Sequence, residues 1–267
     1  MNNNNYFEID YKSKTLNRSR TTSGVEEFNF LINRSQSQII EKIKNFNNNL
    51  DFILEIGCQG SLGNSIYKNL APNQQLTVDM SLSRLNYNDR SSIKLVLIED
   101  NLPFKSNSFS GIISCLYIDN SSNSIDFFTQ VFNILSENGF LIISLFGSNT
   151  LDSIKKSFIK IEEKKYNGAS LRFHPLFELQ TIGDQLKKIG FKNVIVETET
   201  ISIKYKTIFK LMHDLRGMGL TNSLKNRSKF FTPKSFFVDI DKHLLSNKTQ
   251  NFFLANFEVI TVTAWKS

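Results

Sequence analysis

The chain is poor in the residues that build disulfide frameworks and metal sites. Its 267 residues include two cysteines, Cys58 and Cys115. That excludes a disulfide framework and a cysteine-rich zinc site, and it suits a reducing compartment. The three histidines, His174, His213 and His243, are far apart in the chain, so a two-His-one-carboxylate centre would need distant segments and no metal is expected. No apolar run approaches the roughly 20 residues needed to span a bilayer; the longest, Gly139 to Gly147, is strand-sized. The start, MNNNNYFEID, lacks the apolar core of a signal peptide and carries Glu8 and Asp10 where a mitochondrial presequence is free of acids. A cytoplasmic protein is expected. Also missing is the dinucleotide fingerprint GxGxxG, because Gly57 is followed two residues later by Gln59, which disfavours a nicotinamide or flavin domain.

What is present is apolar bulk and positive charge. Hydrophobic residues make up 40% of the chain and 24 residues are Phe, enough for one full-sized core. The formal net charge is +7. It fits an acidic partner such as nucleic acid, an anionic membrane surface or an acidic carrier protein, or simply a lysine-rich composition.

Residues 1–12 read as a disordered tail, followed by a basic segment from Thr15 to Arg20 and a helix over about 24–46, together forming a cover over 13–48. Asp51 to Gly63, DFILEIGCQGSLG, reads as strand, glycine-rich turn and helix. Further strands are expected at 75–79, 93–98, 111–116 and 140–146, with a helix at 124–135. Thr150 is an expected N-cap, a helix over 176–189 is stopped by Gly190, and a sixth strand covers 194–201. An insertion at 203–250, with a helix near 205–215, precedes a final strand at 252–265. Strand and helix alternate at βαβ spacing, so residues 13–267 are expected to form a single α/β domain. Its sheet should be Rossmann-like and mainly parallel, with helices on both faces and an antiparallel last strand.

In such a sheet a ligand lies at the carboxyl ends of the strands. Three strand ends carry features that suit an adenosine. Gly57 allows close backbone approach, Asp79 can accept two ribose hydroxyls, and Glu99 or Asp100 can accept an amino group. Leu102 and Phe104 can sandwich the ring. Each feature taken singly has a plainer reading, as turn geometry or a solvated loop acid.

The order Glu-Ile-Gly-Cys at 55–58, Val-Asp at 78–79 and Glu-Asp-Asn-Leu-Pro-Phe-Lys-Ser-Asn-Ser-Phe at 99–109 resembles class I S-adenosylmethionine-dependent methyltransferases. Three later segments resemble one branch of that family: Leu-Phe-Gly-Ser-Asn-Thr-Leu at 145–151, Leu-Met-His-Asp-Leu-Arg-Gly-Met-Gly-Leu-Thr-Asn at 211–222, and Ala-Trp at 264–265. That branch holds the malonyl-carrier-protein methyltransferase of biotin synthesis and a mitochondrial complex I assembly factor associated with arginine hydroxylation. The resemblance covers nearly the whole chain after about Thr15. It implies a seven-stranded sheet, S-adenosylmethionine as cofactor, and a cofactor-binding set of Glu55, Gly57, Gly60, Asp79, Met80, Glu99, Asp100 and Leu102. The family turn reads acid-x-Gly-x-Gly-x-Gly, whereas Gln59 and Ser61 stand at its second and third glycines here and Gly60 is displaced between them. Ser110 stands in place of an acid, and Asp119-Asn120 in place of a His-Trp pair.

Tyr117, just past the fourth strand, is the candidate to line the donor methyl, with core packing as its plainer role. Arg172, His213 and Arg216 are candidates to face an anionic acceptor on a protein or acidic carrier protein. The alternatives are an arginine hydroxylase or a non-catalytic complex I assembly module on the same fold. The basic run from Lys225 to Lys234, with Phe230, Phe231 and Phe236, could stack bases or dock an acidic carrier, and nucleic acid is the less favoured of the two.

Overall fold

The computed structural model describes residues 7–21, 28–44, 50–59, 61–87, 93–118, 124–246 and 251–267. Gly60 and Asp119-Asn120 lie outside them. Two helices, α1 (Tyr11–Ser19) and α2 (Phe30–Lys44), precede the first strand. Next come β1 (Phe52–Ile56), α3 (Leu62–Leu70), β2 (Gln74–Asp79), α4 (Leu82–Tyr87) and β3 (Ile93–Val96). The middle holds β4 (Phe109–Cys115), α5 (Ser124–Ile134), β5 (Leu135–Phe146), α6 (Asp152–Tyr166) and α7 (Leu179–Ile189). The chain closes with β6 (Lys192–Tyr205), α8 (Ile208–Gly217), α9 (Lys234–Leu245) and β7 (Phe253–Trp265).

Seven strands form one sheet in the order β3-β2-β1-β4-β5-β7-β6. The first five pair in parallel, and β7 runs antiparallel between β5 and β6. The period-two alternation of the central strands decides the two cores. Ile53, Ile113 and Ile142 face α2, α6 and α9, while Leu54, Ile112, Ile143 and Ile260 face α5 and α7. Order reverses between β1 and β4, so a crevice opens there at the carboxyl ends of the strands.

Several elements differ from the sequence expectation. The tail is placed from residue 7 onward: Ile9 is buried and bridges Leu224, and the Asp10 side chain caps α1 through Ser13 N at 3.0 Å. Thr150 does not cap α6. Leu151 stands at that position with φ +57°, while the Thr150 hydroxyl exchanges 3.1 Å hydrogen bonds with the backbone of Glu258 on β7. Ser110, in place of an acid, bridges the N–H and C=O of Phe52 at 3.1 and 3.0 Å and ties β4 to β1.

Candidate functional site

The β1 turn begins at Gly57, whose φ of +84° suits a residue without a side chain. Its N–H donates to Val78 O at 2.8 Å, which locks the turn to β2. Asp79, fully buried at the end of β2, accepts the N–H of Cys58 at 2.9 Å and that of Ser81 at 2.8 Å. Glu55, buried inside β1, accepts the Thr77 hydroxyl at 2.9 Å and so belongs to the sheet more than to the crevice. Met80 and Leu102 are buried in the core beneath the crevice. Phe104 packs edge-on against Phe109, with centroids 5.2 Å apart, in the same core cluster as Leu102.

The three candidate acids are all engaged by α1. Arg18 grips Asp79 with Nε at 3.1 Å and a closer Nη2, Lys14 pairs with Glu99, and the Tyr11 hydroxyl bonds Asp100. Residues 11, 14 and 18 fall on one helical stripe, so a single short helix presents all three groups. Lys14 and Arg18 are 4% and 5% exposed, a burial that charged side chains tolerate only when paired. Burial works against the Arg18 charge, the Asp79 carboxylate outweighs it, and the guanidinium pKa is pushed up. The 211–222 motif packs against α1: Asn17 Nδ2 donates to Thr221 O at 3.2 Å, and a Cβ at Gly219 would stand 3.8 Å from Arg18 Cα. Gly217 lets the Phe28 ring approach so closely that a Cβ there would stand 2.3 Å from it.

Tyr117 closes the crevice. Leu116, in the left-handed region at φ +46°, turns the chain so that the Tyr117 ring lies on Gly57, where an added Cβ would be 2.1 Å from Cγ. The Tyr117 hydroxyl donates to Glu99 at 3.0 Å, and the Arg18 guanidinium sits 4.5 Å from the ring centroid. Burial first, and then the charges of Glu99 and Asp79, push the phenol pKa well up, so it stays protonated. Gln59 is buried too, donating to Leu116 O at 3.2 Å and accepting from Gln36. In their chemistry these residues fit an adenosyl cofactor: carboxylates for hydroxyl and amino groups, and a glycine for close approach. Tyr117 and α1 pack into this space.

On the other core face a cavity of about 90 Å³ lies beyond β5, floored by Phe146, Leu176, Leu215 and Phe257. Its polar lining is Thr150, Lys155, Arg172, His174 and Asn222. A second gap, lined by Gln59, Leu116, Phe146 and Leu220, shares the last two residues with the cavity and leads back to the β1 turn. Lys155 donates to Ser148 O at 3.2 Å, and burial lowers its pKa against the pull of Asp152 and Glu258. Arg172 is held by Glu162 at 2.8 Å. His174 accepts the Ser223 N–H at 3.0 Å through Nε2. Burial and then the charges of Lys14 and Arg227 bring its pKa down to about 4. Of the three acceptor candidates only Arg172 lines this cavity. His213 is exposed on α8 against Phe28, and Arg216 is exposed one turn on. His243 bonds Ser157 elsewhere, and no cluster of three His, Cys, Asp or Glu forms among the described residues.

Sequence reasoning missed Tyr11, Lys14, Arg18 and Lys155. The spacing of the first three on a helix was the available signal; Lys155 had none.

The chain matches no protein-family model. It is 27% identical over 227 residues to the human "Arginine-hydroxylase NDUFAF5, mitochondrial", a match covering 84% of this chain and 66% of that protein. It thus spans just under two thirds of that relative's length. It is 20% identical over 275 residues to the "Malonyl-[acyl-carrier protein] O-methyltransferase" of Gallionella capsiferriformans, covering 98% and 93% of the two chains. Among solved structures, the Haemonchus contortus phosphoethanolamine N-methyltransferase 2 complex with S-adenosylhomocysteine superposes with a TM-score of 0.57 at 14% identity, covering 97% of this chain and 60% of that one. With the strand order and the antiparallel β7, these similarities make the chain a class I S-adenosylmethionine-dependent methyltransferase fold, distantly related to NDUFAF5 and to the malonyl-carrier-protein methyltransferases.

Proposed function

We propose that the protein is an S-adenosylmethionine-dependent methyltransferase whose acceptor presents a carboxylate on a protein or carrier protein. The observation that carries this reading is the convergence of Asp79, Glu99 and Asp100 on one crevice around Gly57. When bound, the cofactor supplies an activated methyl group on a sulfonium, so the protein's work is positioning and exclusion of water. Asp79 would hold the ribose hydroxyls and Glu99 or Asp100 the adenine amino group, with Met80 and Leu102 beneath. Because α1 occupies these acids, binding exchanges its cations for ligand donors.

The acceptor reading rests on sign. Arg172 is already paired with Glu162, so the sign is set by Lys155, whose ammonium donates to the Ser148 carbonyl and would attract a carboxylate and repel a guanidinium. His174, neutral at pH 7, adds no charge of its own. A second reading, arginine hydroxylation or a complex I assembly role, is favoured by the 84% of this chain that matches the human arginine-hydroxylase. The cationic lining counts against a guanidinium in this cavity.

Methyl-labelled cofactor and a carrier protein bearing a free acyl carboxylate test the choice. Label should enter the carrier, be lost from its amide counterpart and fall at least about tenfold with Lys155→Met. Label entering only an arginine-containing peptide, or none entering any acceptor, would contradict it.

A further inference from the structure

Phe230 and Phe231 are 90% and 91% exposed, side by side in the loop before α9, and neither makes a ring contact with any described residue. Singly exposed hydrophobics are ordinary, but two adjacent phenylalanines offered almost whole to solvent need a partner. The sequence around them, Ser228-Lys229-Phe230-Phe231-Thr232-Pro233-Lys234, sets Lys229 directly before the apolar pair and Lys234 three residues after it. Both lysines are free of ion pairs among the described residues, whereas nearby Lys225 and Arg227 are tied to Glu8 and Asp10. Phe236, which might have completed a stacking platform for bases, is wholly buried in the α6–α9 core. What remains is a short apolar wedge flanked by cations on a chain of net charge +7.

We propose that this loop docks the protein on an anionic lipid surface. The two rings would enter the boundary between headgroups and acyl chains while Lys229 and Lys234 meet lipid phosphates. An acidic protein would meet the lysines equally well, but an adjacent pair of almost fully exposed rings with a cation on either side suits a flat apolar boundary lying beneath a layer of phosphates. A single-stranded nucleic acid needs a cationic groove with spaced aromatics, whereas these two rings are adjacent and Arg172, the cation lining the groove beside them, is already paired with Glu162. Arg172 lines both this groove and the acceptor cavity, so docking here would turn the outer side of the cavity toward the membrane. The assignment stands on the loop alone and does not depend on the reaction.

The test is co-sedimentation of the full chain with phosphatidylcholine vesicles containing about a third phosphatidylglycerol, and with phosphatidylcholine alone. The wild type should bind the anionic vesicles and release them as salt rises. Phe230→Ser/Phe231→Ser should lower the partition coefficient at least about 30-fold, because two phenyl groups no longer leave water. Lys229→Glu/Lys234→Glu should weaken binding to anionic vesicles and leave weak binding to neutral ones unchanged. All four side chains are surface groups, so the variants should keep the wild-type melting temperature, which is read alongside. Equal partition of the Phe variant and the wild type would overturn the proposal. So would loss of a dimer, or loss of binding to an acidic protein or an oligonucleotide, in that variant without any vesicle binding by the wild type.

Discussion

Arg18→Met separates a structural ion pair from a competitor of the cofactor. Arg18 is 5% exposed and Asp79 fully buried, joined by two hydrogen bonds, with the guanidinium also lying 4.5 Å from the Tyr117 ring centroid. Removing one partner of a buried pair costs about 3–5 kcal/mol. The lower end applies here, because Cys58 N at 2.9 Å and Ser81 N at 2.8 Å still donate to Asp79. For a chain of this size that is a fall in melting temperature of roughly 6–12 °C. Arg18→Met/Asp79→Ala should recover only part of the loss, since no uncompensated charge is left but the Cys58 and Ser81 N–H groups lose their acceptor. Cofactor binding should move the other way. The wild type must break the pair before Asp79 can accept ribose hydroxyls, and Arg18→Met need not, so its affinity for S-adenosylmethionine should rise about 10- to 100-fold, or 1.4–2.8 kcal/mol. Scanning fluorimetry and calorimetric titration of the three proteins measure both effects. A less stable Arg18→Met that binds the cofactor no better than the wild type would refute the competition, and weaker binding would make Arg18 part of the cofactor's own site.

Two further outcomes follow from the same geometry. Gly57→Ala forces a side chain into φ +84° and onto the Tyr117 ring at 2.1 Å; left-handed backbone costs about 1–2 kcal/mol and overpacking about 1–3, so urea unfolding should show a loss of about 2–5 kcal/mol. A loss under about 1 kcal/mol would mean that the ring moves freely. His174 binds its proton less readily folded, at about 4, than unfolded, at 6.5. Its contribution is therefore complete above pH 6.5 and is lost as pH falls toward 4, by up to about 3 kcal/mol. His174→Gln should flatten the stability profile in that window, and an unchanged slope would contradict the buried neutral imidazole.

The sheet was legible because its central strands are apolar runs closed by glycine or acid. Gly57, Asp79, Glu99 and Asp100 could be placed at strand ends from their position in the βαβ alternation alone. What escaped was α1. Its buried face is Lys14 and Arg18, so hydropathy reads it as surface, and its partners lie 61 and 85 residues away. Thr150 looked like a cap because local sequence favours one, but β7 supplied a better partner for its hydroxyl in Glu258. Gln59 stood out only as a side chain at a family glycine position. It is a buried link between the turn and Leu116 O, a contact that exists only once β1 and β4 are adjacent. The acceptor candidates on α8 were chosen by charge and motif. Which helical face meets the cavity depends on packing, and Leu215 takes that face rather than His213 or Arg216.

Calorimetric titration of S-adenosylmethionine into the wild type and Asp79→Ala tests most directly whether the strand-end acids form the cofactor site. The account predicts saturable binding by the wild type, with heat reflecting displacement of Arg18 and Lys14, and loss of at least about tenfold in affinity in the variant. No binding by the wild type at millimolar ligand, or equal affinity in the two proteins, would contradict it.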